Sequence, residues 1–272
     1  MIQIAISGAC GRMAGQVLRR AVEDKELKVV AAIESKDCPH VGRDIGEMLG
    51  MSPAGVKIIS SANLDSELKS KKPKLLIDFT NPGACVQNVL VAAANRVGIV
   101  VGTTGLNDVQ IREITDAVKK AGVVGLIAPN FSVCVNLLFK LVAEAAKTLD
   151  GYDIEIVEAH HRFKKDAPSG TAKKLAEVMA NAVNRDLNKV GVYGRKGMVG
   201  ERKLEEIGIH AVRAGDIVGD HTIIFGTLGE RLELKHQAHS RDAFAYGCLR
   251  AVKWLSQQKP GMYEMSDVLG LK

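Results

Sequence analysis

The chain is predicted to be an α/β protein. A parallel-sheet domain covers residues 1–130 and is rejoined by residues 241–272. An α+β domain with an open mixed sheet covers residues 131–240. Three observations predict this. Short β-branched runs alternate with helical patterns through the first 130 residues, as in a parallel sheet covered on both faces. After Pro129 the rhythm changes to a long apolar helix followed mainly by strand candidates. The length of 272 residues also suits two domains at roughly 150 residues each.

Residues 2–6 (IQIAI) form a buried strand, followed by a glycine turn and a helix through about residue 23. Further strands are predicted at 29–33, 75–79, 99–101 and 123–127. Between the last two, Ile111, Ile114, Val118 and Ala121 recur at helical spacing, with Asn107 as N-cap and Gly122 as the stop. Residues 35–66 carry no readable pattern. In the second domain, 133–149 is a mostly apolar helix whose polar residues Asn136, Lys140, Glu144 and Lys147 keep near one face. A strand at 154–158 precedes a helix from about 171 to 183. Residues 184–207, rich in glycine and charge, read as a mobile loop. Strand candidates at 209–213, 221–226 and 231–236 complete the mixed sheet. The chain closes with a helix from 241 to 256, capped by Ser240 and apolar on most faces. A helix so apolar needs a partner, and returning to the first domain provides one.

Hydrophobic residues at 46% and charged residues at 25% exclude wholesale disorder. Lys and Arg number 37 against 31 Asp and Glu, a net charge of +6, but they are scattered. Aromatic residues, at 4%, are too few to build the stacking platforms of a single-stranded nucleic acid binder. Small anions are therefore the expected partners, rather than nucleic acid or membrane. No apolar run reaches the roughly 18 residues of a membrane span, and the first strand begins without a leader pattern, so a cytoplasmic protein is expected. Five cysteines, odd in number and without a C-x-x-C pair, point to a reducing compartment. Cys10 reads as a turn filler, or as a reactive thiol if a helix start activates it.

Directly after the first strand stands Gly8-Ala9-Cys10-Gly11-Arg12-Met13-Ala14, a G-x-x-G-x-x-A turn. Such a turn lets the backbone approach a pyrophosphate closely and presents the N–H groups of a helix start. Glu34 ends the second strand 20 residues after Ala14, the distance at which an acid receives the adenosine ribose hydroxyls. Strand, turn, helix and acid together favour a Rossmann-like dinucleotide domain over a structural glycine turn. Glu34 repels a 2′-phosphate and is followed by Ser35 rather than a basic residue, which tilts the expectation toward NADH. Arg12 and Lys36 supply cations, so NADPH stays open. Gly102-Thr103-Thr104-Gly105 and Ala128-Pro129-Asn130-Phe131-Ser132 follow later strands and are the natural walls around a nicotinamide.

The densest polar cluster is the run from Glu158 to Ala172, EAHHRFKKDAPSGTA. Zinc needs a third ligand, and adjacent histidines on an extended segment point to opposite sides. A nucleophilic Ser169 lacks its G-x-S-x-G elbow. Binding and protonating a small polyanion fits better. Ser169-Gly170-Thr171 opens a helix whose N–H groups and hydroxyls can hold a carboxylate. Lys164 and one histidine then supply counter-charge, and the other histidine or Lys164 the proton. Ser169 taken alone reads as a helix cap. His40, His210, His221, His236 and His239 receive no role, and Arg213 and Arg241 are open as substrate or interface cations.

These segments, with Arg213 to His221 and Ser240-Arg241 leading to Ala251–Leu255, resemble the dihydrodipicolinate reductase (4-hydroxy-tetrahydrodipicolinate reductase) family. The resemblance spans nearly the whole chain, and the histidine run joined to S-G-T is its specific part. It implies NAD(P)H-dependent reduction of 4-hydroxy-tetrahydrodipicolinate to tetrahydrodipicolinate in the diaminopimelate route of lysine biosynthesis, with hydride delivered to C4 of a cyclic imine dicarboxylate. His160 matches the family's general acid, Lys164 its catalytic lysine, and His161 a substrate-binding position. Ser169, Gly170 and Thr171 match the substrate-carboxylate site. Gly8, Ala9, Cys10, Gly11, Arg12, Met13, Glu34, Gly102, Thr103, Thr104, Ala128, Pro129, Asn130 and Phe131 match the cofactor site. The family also implies two hinges and a homotetramer built by the open sheet. Phe163 departs from it, since many relatives carry a third histidine there. Two other readings remain at this level: a Rossmann dehydrogenase acting on a semialdehyde, which has no need of S-G-T, and a nicotinamide-sensing regulator, which needs a DNA-reading module that is not evident.

Overall fold

The computed structural model describes residues 1–271. Residues 1–132 and 244–271 form one compact unit, and residues 133–243 another.

The first unit begins with β1 (Ile2–Ser7), α1 (Arg12–Glu23) and β2 (Leu27–Glu34). It continues through α2 (Ile45–Met48), β3 (Ile58–Ser60), α3 (Leu64–Lys71), β4 (Leu75–Asp78), α4 (Pro82–Ala94), β5 (Gly98–Val101), α5 (Asp108–Ala121) and β6 (Val124–Ile127). The strands are apolar at nearly every position because both faces are covered: Leu75, Leu76 and Ile77 are all buried. On one face lie Ala14, Val17 and Leu18 of α1, and on the other Leu64 and Leu68 of α3, Val86 and Val89 of α4, and Ile114 and Val118 of α5. This is the predicted α/β class.

Residues 35–66, unreadable in the sequence, are organised around one carboxylate. Asp44 accepts from the N–H groups of Gly46 (2.8 Å), Ala54 (2.8 Å) and Val56 (3.1 Å). A polar hub leaves no hydrophobic period to read. Helix α4 was hidden differently, because its sequence, PGACVQNVLVAAA, is apolar nearly all round and shows no stripe.

The second unit holds α6 (Val133–Thr148), β7 (Asp153–His160), α7 (Gly170–Ala182), α8 (Leu187–Val190), β8 (Gly191–Tyr193), β9 (Ile207–Arg213), β10 (Asp220–Thr227) and β11 (Glu230–Gln237). Its five-stranded sheet has the order β11-β10-β7-β9-β8. β10 runs antiparallel to both β7 and β11, while β9 runs parallel to β7 and β8. The core packs Ile154, Ile156, Ile209, Ile223 and Phe225 against Leu138 and Val142 of α6 and Leu175 and Met179 of α7.

The expected mobile loop at 184–207 is a correction: α8 and β8 occupy part of it, and charge pairing ties down the remainder. The Arg202 guanidinium donates to Asp153 (2.6 Å), Glu155 (3.0 Å) and the Glu206 carbonyl (2.7 Å), and Arg195 donates to Glu155 (2.9 Å) and Glu206 (3.0 Å). Hydropathy is blind to order of this kind. Among the described residues no helix is long and apolar enough to cross a membrane.

The chain then continues as α9 (Asp242–Leu255), β12 (Gly261–Tyr263) and α10 (Met265–Leu269). β12 joins β6 in parallel, giving the first unit a seven-stranded sheet of order β12-β6-β5-β4-β1-β2-β3. Ala245, Cys248, Val252 and Leu255 of α9 fill the face already carrying α1. Gly247 permits the closest approach, because a Cβ there would overlap the Phe131 carbonyl. Gly247→Ala should therefore destabilise the first unit by about 1–3 kcal/mol despite the better helix propensity of alanine. Trp254, the one tryptophan of the sequence, lies in this unit and reports it. A fluorescence unfolding midpoint that stays level or rises would show that the contact is not limiting.

Candidate active site

In the first unit the chain order around the sheet reverses between β1 and β4, the place where open α/β sheets bind ligands at their carboxyl ends. The Gly8–Gly11 turn leaves β1 there. Gly8 sits at φ +80°, and a Cβ on it would overlap the Phe79 carbonyl. No side chain caps α1 at Gly11, which leaves its first-turn N–H groups to an anion. Glu34 Oε2 accepts from the Cys10 N–H (2.9 Å) and Oε1 from the Ser35 N–H (2.8 Å). A cleft of 440 Å³ opens beside them, lined by Ser7, Gly8, Glu34, Ser35, Thr80 and Asn81 among others. The Ser7 hydroxyl is buried without a partner. Backbone cradle, uncapped helix, acid and cleft fit a dinucleotide.

The loops after β4 and β5 share a buried hub, Asp78. Its Oδ1 accepts from the hydroxyls of Thr80 (2.7 Å) and Thr103 (2.7 Å), and its Oδ2 from Asn88 (2.8 Å). Thr103 Oγ1 in turn accepts from the Thr80 N–H (2.8 Å). The Thr103 side chain is thus engaged in holding the two loops, while Thr104 is exposed. Gly102 has no room for a side chain because the Phe79 ring occupies that space. Phe131 packs on Phe79 with ring centroids 5.7 Å apart, Ala128 is buried, and Asn130 accepts from the Ser132 N–H (2.8 Å). Ala9 is buried, Met13 half-buried, and Arg12 and Pro129 exposed.

In the second unit the alternation of β7 buries Ile154, Ile156, Glu158 and His160 on one face. The first two fill the core, and the last two carry its polar end. Register places His160 opposite Arg213 on β9 and Glu158 opposite His221 on β10. The Glu158 carboxylate, fully buried, accepts from both Arg213 nitrogens (2.8 Å each), from the Ser169 N–H (2.9 Å) and from His160 Nδ1 (2.6 Å). Burial pushes this carboxyl up, but the hydrogen bonds from His160, Arg213 and Ser169 outweigh it and hold it down at about 2. The Glu158 carboxylate holds His160 through Nδ1 and so sets the orientation of the ring, with Nε2 as its other edge. That edge faces Gly219, where a Cβ would lie 3.1 Å from Nε2.

Ser169 caps α7, its hydroxyl accepting from the Ala172 N–H (3.2 Å) and lying 3.2 Å from His221 Nε2. Gly170 has open space where a side chain would stand, and Thr171 is half-exposed. Burial, then the neighbouring His160 and His236, drive His221 down to about 3, so its ring is neutral. Lys164 Nζ pairs with Asp166 (2.9 Å), and His161 is half-buried on the opposite side of the chain from His160. The arrangement combines an anion-ready helix start, a lysine ammonium and a histidine held by a carboxylate, a set able to bind a carboxylate and deliver a proton.

Two family models between them match nearly the whole chain. One, described as dihydrodipicolinate reductase, N-terminus, covers residues 2–131, and the other, dihydrodipicolinate reductase, C-terminus, covers 134–269. The chain belongs to the dihydrodipicolinate reductase family. A Methanocaldococcus jannaschii protein named 4-hydroxy-tetrahydrodipicolinate reductase is 49% identical over 271 residues, covering 100% of this chain and 98% of the relative. A protein of the same name from Methanothermobacter thermautotrophicus is 46% identical over 272 residues, covering 100% of both. Among solved structures, a dihydrodipicolinate reductase from Paenisporosarcina sp. TG-14, described as dipicolinate bound, aligns at TM-score 0.76 with 27% identity over 97% of each chain.

Three residues of this family member escaped the sequence reading. Glu158 heads the motif with no role of its own, His221 has none, and Arg213 is open as a substrate or interface cation. Both guanidinium nitrogens of Arg213 are engaged by Glu158, and one also donates to the Asp166 carbonyl (2.7 Å). The i,i+2 alternation of a strand could have joined Glu158 to His160, whereas Arg213 and His221 needed the strand register. Because the folded value of Glu158 lies below the ordinary 4.5, its stabilisation is present above that value and is lost as pH falls toward about 2. The contribution is roughly 3 kcal/mol. Glu158→Gln should be less stable than the parent at pH 7 and converge with it near pH 2. Urea unfolding followed by circular dichroism checks this, and parallel pH curves for the two proteins would contradict it.

Proposed function

We propose that this chain reduces 4-hydroxy-tetrahydrodipicolinate to tetrahydrodipicolinate with NAD(P)H in the diaminopimelate route of lysine biosynthesis. The observation that supports the reading most is that Glu158 holds both His160 and the Ser169 N–H at the start of α7. The Paenisporosarcina relative is described as dipicolinate bound, and a flat ring bearing carboxylates is the kind of ligand this helix start suits.

The roles follow from the chemistry of each group. The amides of Gly170 and Thr171, with the Thr171 hydroxyl, take one substrate carboxylate. Lys164 and His161 supply positive charge and hydrogen bonds around the ring. Loss of the 4-hydroxyl as water leaves a conjugated cyclic imine, and NAD(P)H, when bound, would supply a hydride to its C4. His160, oriented through Nδ1 by Glu158, gives the compensating proton from Nε2. Lys164 lies next to Asp166 and stabilises negative charge developing in the ring.

On the cofactor side, the first-turn amides of α1 and the Gly8–Gly11 turn hold the pyrophosphate, and Glu34 takes the ribose hydroxyls. Ala128, Pro129, Asn130 and Phe131, with Gly102, Thr103 and Thr104, enclose the nicotinamide. The charge of Glu34 opposes a 2′-phosphate, which favours NADH over NADPH. A cytoplasmic homotetramer completes the reading.

The deciding experiment supplies freshly made synthase product and follows loss of reduced-nicotinamide absorbance with NADH and NADPH side by side. Turnover is expected with at least one, the faster being NADH, and turnover with neither ends the proposal. In the same assay His160→Gln should lower kcat by roughly 10²–10⁴-fold, the range for a general acid, while NADH binding is kept. An unchanged kcat would remove His160 from that role.

A further inference from the structure

Cys10, a turn filler or a reactive thiol by its sequence, has a partner in the structure. Cys10 stands on the Gly8–Gly11 turn, and Cys38 lies in the turn that follows β2, where its N–H donates to the Ser35 carbonyl (3.0 Å). The two sulfurs are 3.5 Å apart, and both residues are half-buried. The other cysteines are not placed this way: Cys85 and Cys248 are buried and Cys134 is exposed. The pair brackets Glu34, whose carboxylate accepts the Cys10 N–H (2.9 Å) and the Ser35 N–H (2.8 Å).

We propose that Cys10 and Cys38 form a reversible disulfide, and that this bond and a bound dinucleotide oppose one another. The disulfide half stands on the sulfur geometry alone, whereas the opposition rests on the dinucleotide reading of this turn. Bonding requires the sulfurs to close from 3.5 Å to about 2.05 Å. The turn has little slack for that movement, since Gly8 already packs against the Phe79 backbone and its N–H is held by the Ile33 carbonyl at 2.9 Å. Drawing Cys10 toward Cys38 shifts the same peptide groups that face the pyrophosphate and Glu34.

The oxidant is a low-molecular-weight disulfide such as oxidised glutathione. The Cys38 thiolate attacks one of its sulfurs, forms a mixed disulfide and releases one glutathione thiolate. The Cys10 thiolate then attacks the Cys38 sulfur and expels the second. Two protein thiols lose two electrons, glutathione disulfide gains them, and the two thiol protons end on the two glutathiones. The order follows from the surroundings of Cys10. Burial, then the Cys38 sulfur and the Glu34 charge, push its thiol up to about 12, so it is a poor first nucleophile. Once Cys38 carries glutathione, its own thiol no longer raises Cys10.

The test equilibrates the full chain in reduced and oxidised glutathione buffers, with and without saturating NADH. Acid-quenched peptide mapping measures the Cys10–Cys38 cross-link, and nicotinamide fluorescence measures NADH binding to the reduced and oxidised protein. The cross-linked peptide is expected, and oxidation should weaken NADH binding about fivefold, the low end of ordinary coupling between sites. Linkage requires NADH to lower the cross-linking equilibrium constant by the same factor. Cys38→Ser should bind NADH like the reduced parent and ignore oxidised glutathione. Separate glutathione adducts without a cross-link overturn the proposal, and a cross-link with unchanged NADH affinity overturns the opposition. Reduced protein that binds neither NADH nor NADPH defeats the dinucleotide reading, and with it the opposition, while the cross-linked peptide still decides the disulfide.

Discussion

A buried negative charge organises the second unit. Glu158 sits at the polar end of β7 with no exposed surface, where an unpaired carboxylate costs several kcal/mol. Its partners come from three elements: His160 from the same strand, Arg213 from the end of β9, and the Ser169 N–H from the start of α7. The two-pronged contact with Arg213 is the strong form of such a pair, because the planar guanidinium matches both carboxylate oxygens. Arg213 also holds the Asp166 carbonyl, which anchors the segment bearing Lys164. Thus His160, the start of α7 and the lysine-bearing loop share one electrostatic anchor.

The first unit solves a similar problem without an arginine. Asp78 ends β4 and is satisfied by two threonine hydroxyls and an asparagine amide, so it joins the loops after β4 and β5 through neutral donors. Those loops lie at the carboxyl ends of strands beside the order reversal, opposite the Gly8 turn. These donors carry no positive charge, so Asp78 adds no cation to that end of the sheet. The close contacts of Gly8 and Gly102 with Phe79 keep side chains out of the backbone path.

What could be read from the sequence depended on how local each interaction is. The Gly8 turn, Glu34 and the S-G-T helix start are contiguous patterns, and each was visible. Ser169 as a cap was visible for the same reason, since its partner, the Ala172 N–H, lies three residues away. Arg213 and His221 stand far along the chain from Glu158, and only the pairing of β9 and β10 with β7 brings them to it. Polar hubs such as Asp44 and Asp78 were equally hidden, because their donors are backbone amides or distant hydroxyls that leave no periodic trace. Order at 194–206 depends on Arg195 and Arg202, whose charges read as loop composition until their acceptors on β7 are known.

The register that hides these partners also decides where a proton can reside. His160 and His221 meet edge to face with ring centroids 5.3 Å apart, close enough that charging both rings is costly. Their surroundings break the tie. Glu158 grips His160 through Nδ1, whereas His221 is enclosed, crowded by two histidines and driven down to about 3. Of the two rings, His160 is the one with a carboxylate behind it. The neutral ring keeps contact with the Ser169 hydroxyl. With its ring neutral, His221 adds no charge to the polar end of β7 that Glu158 organises.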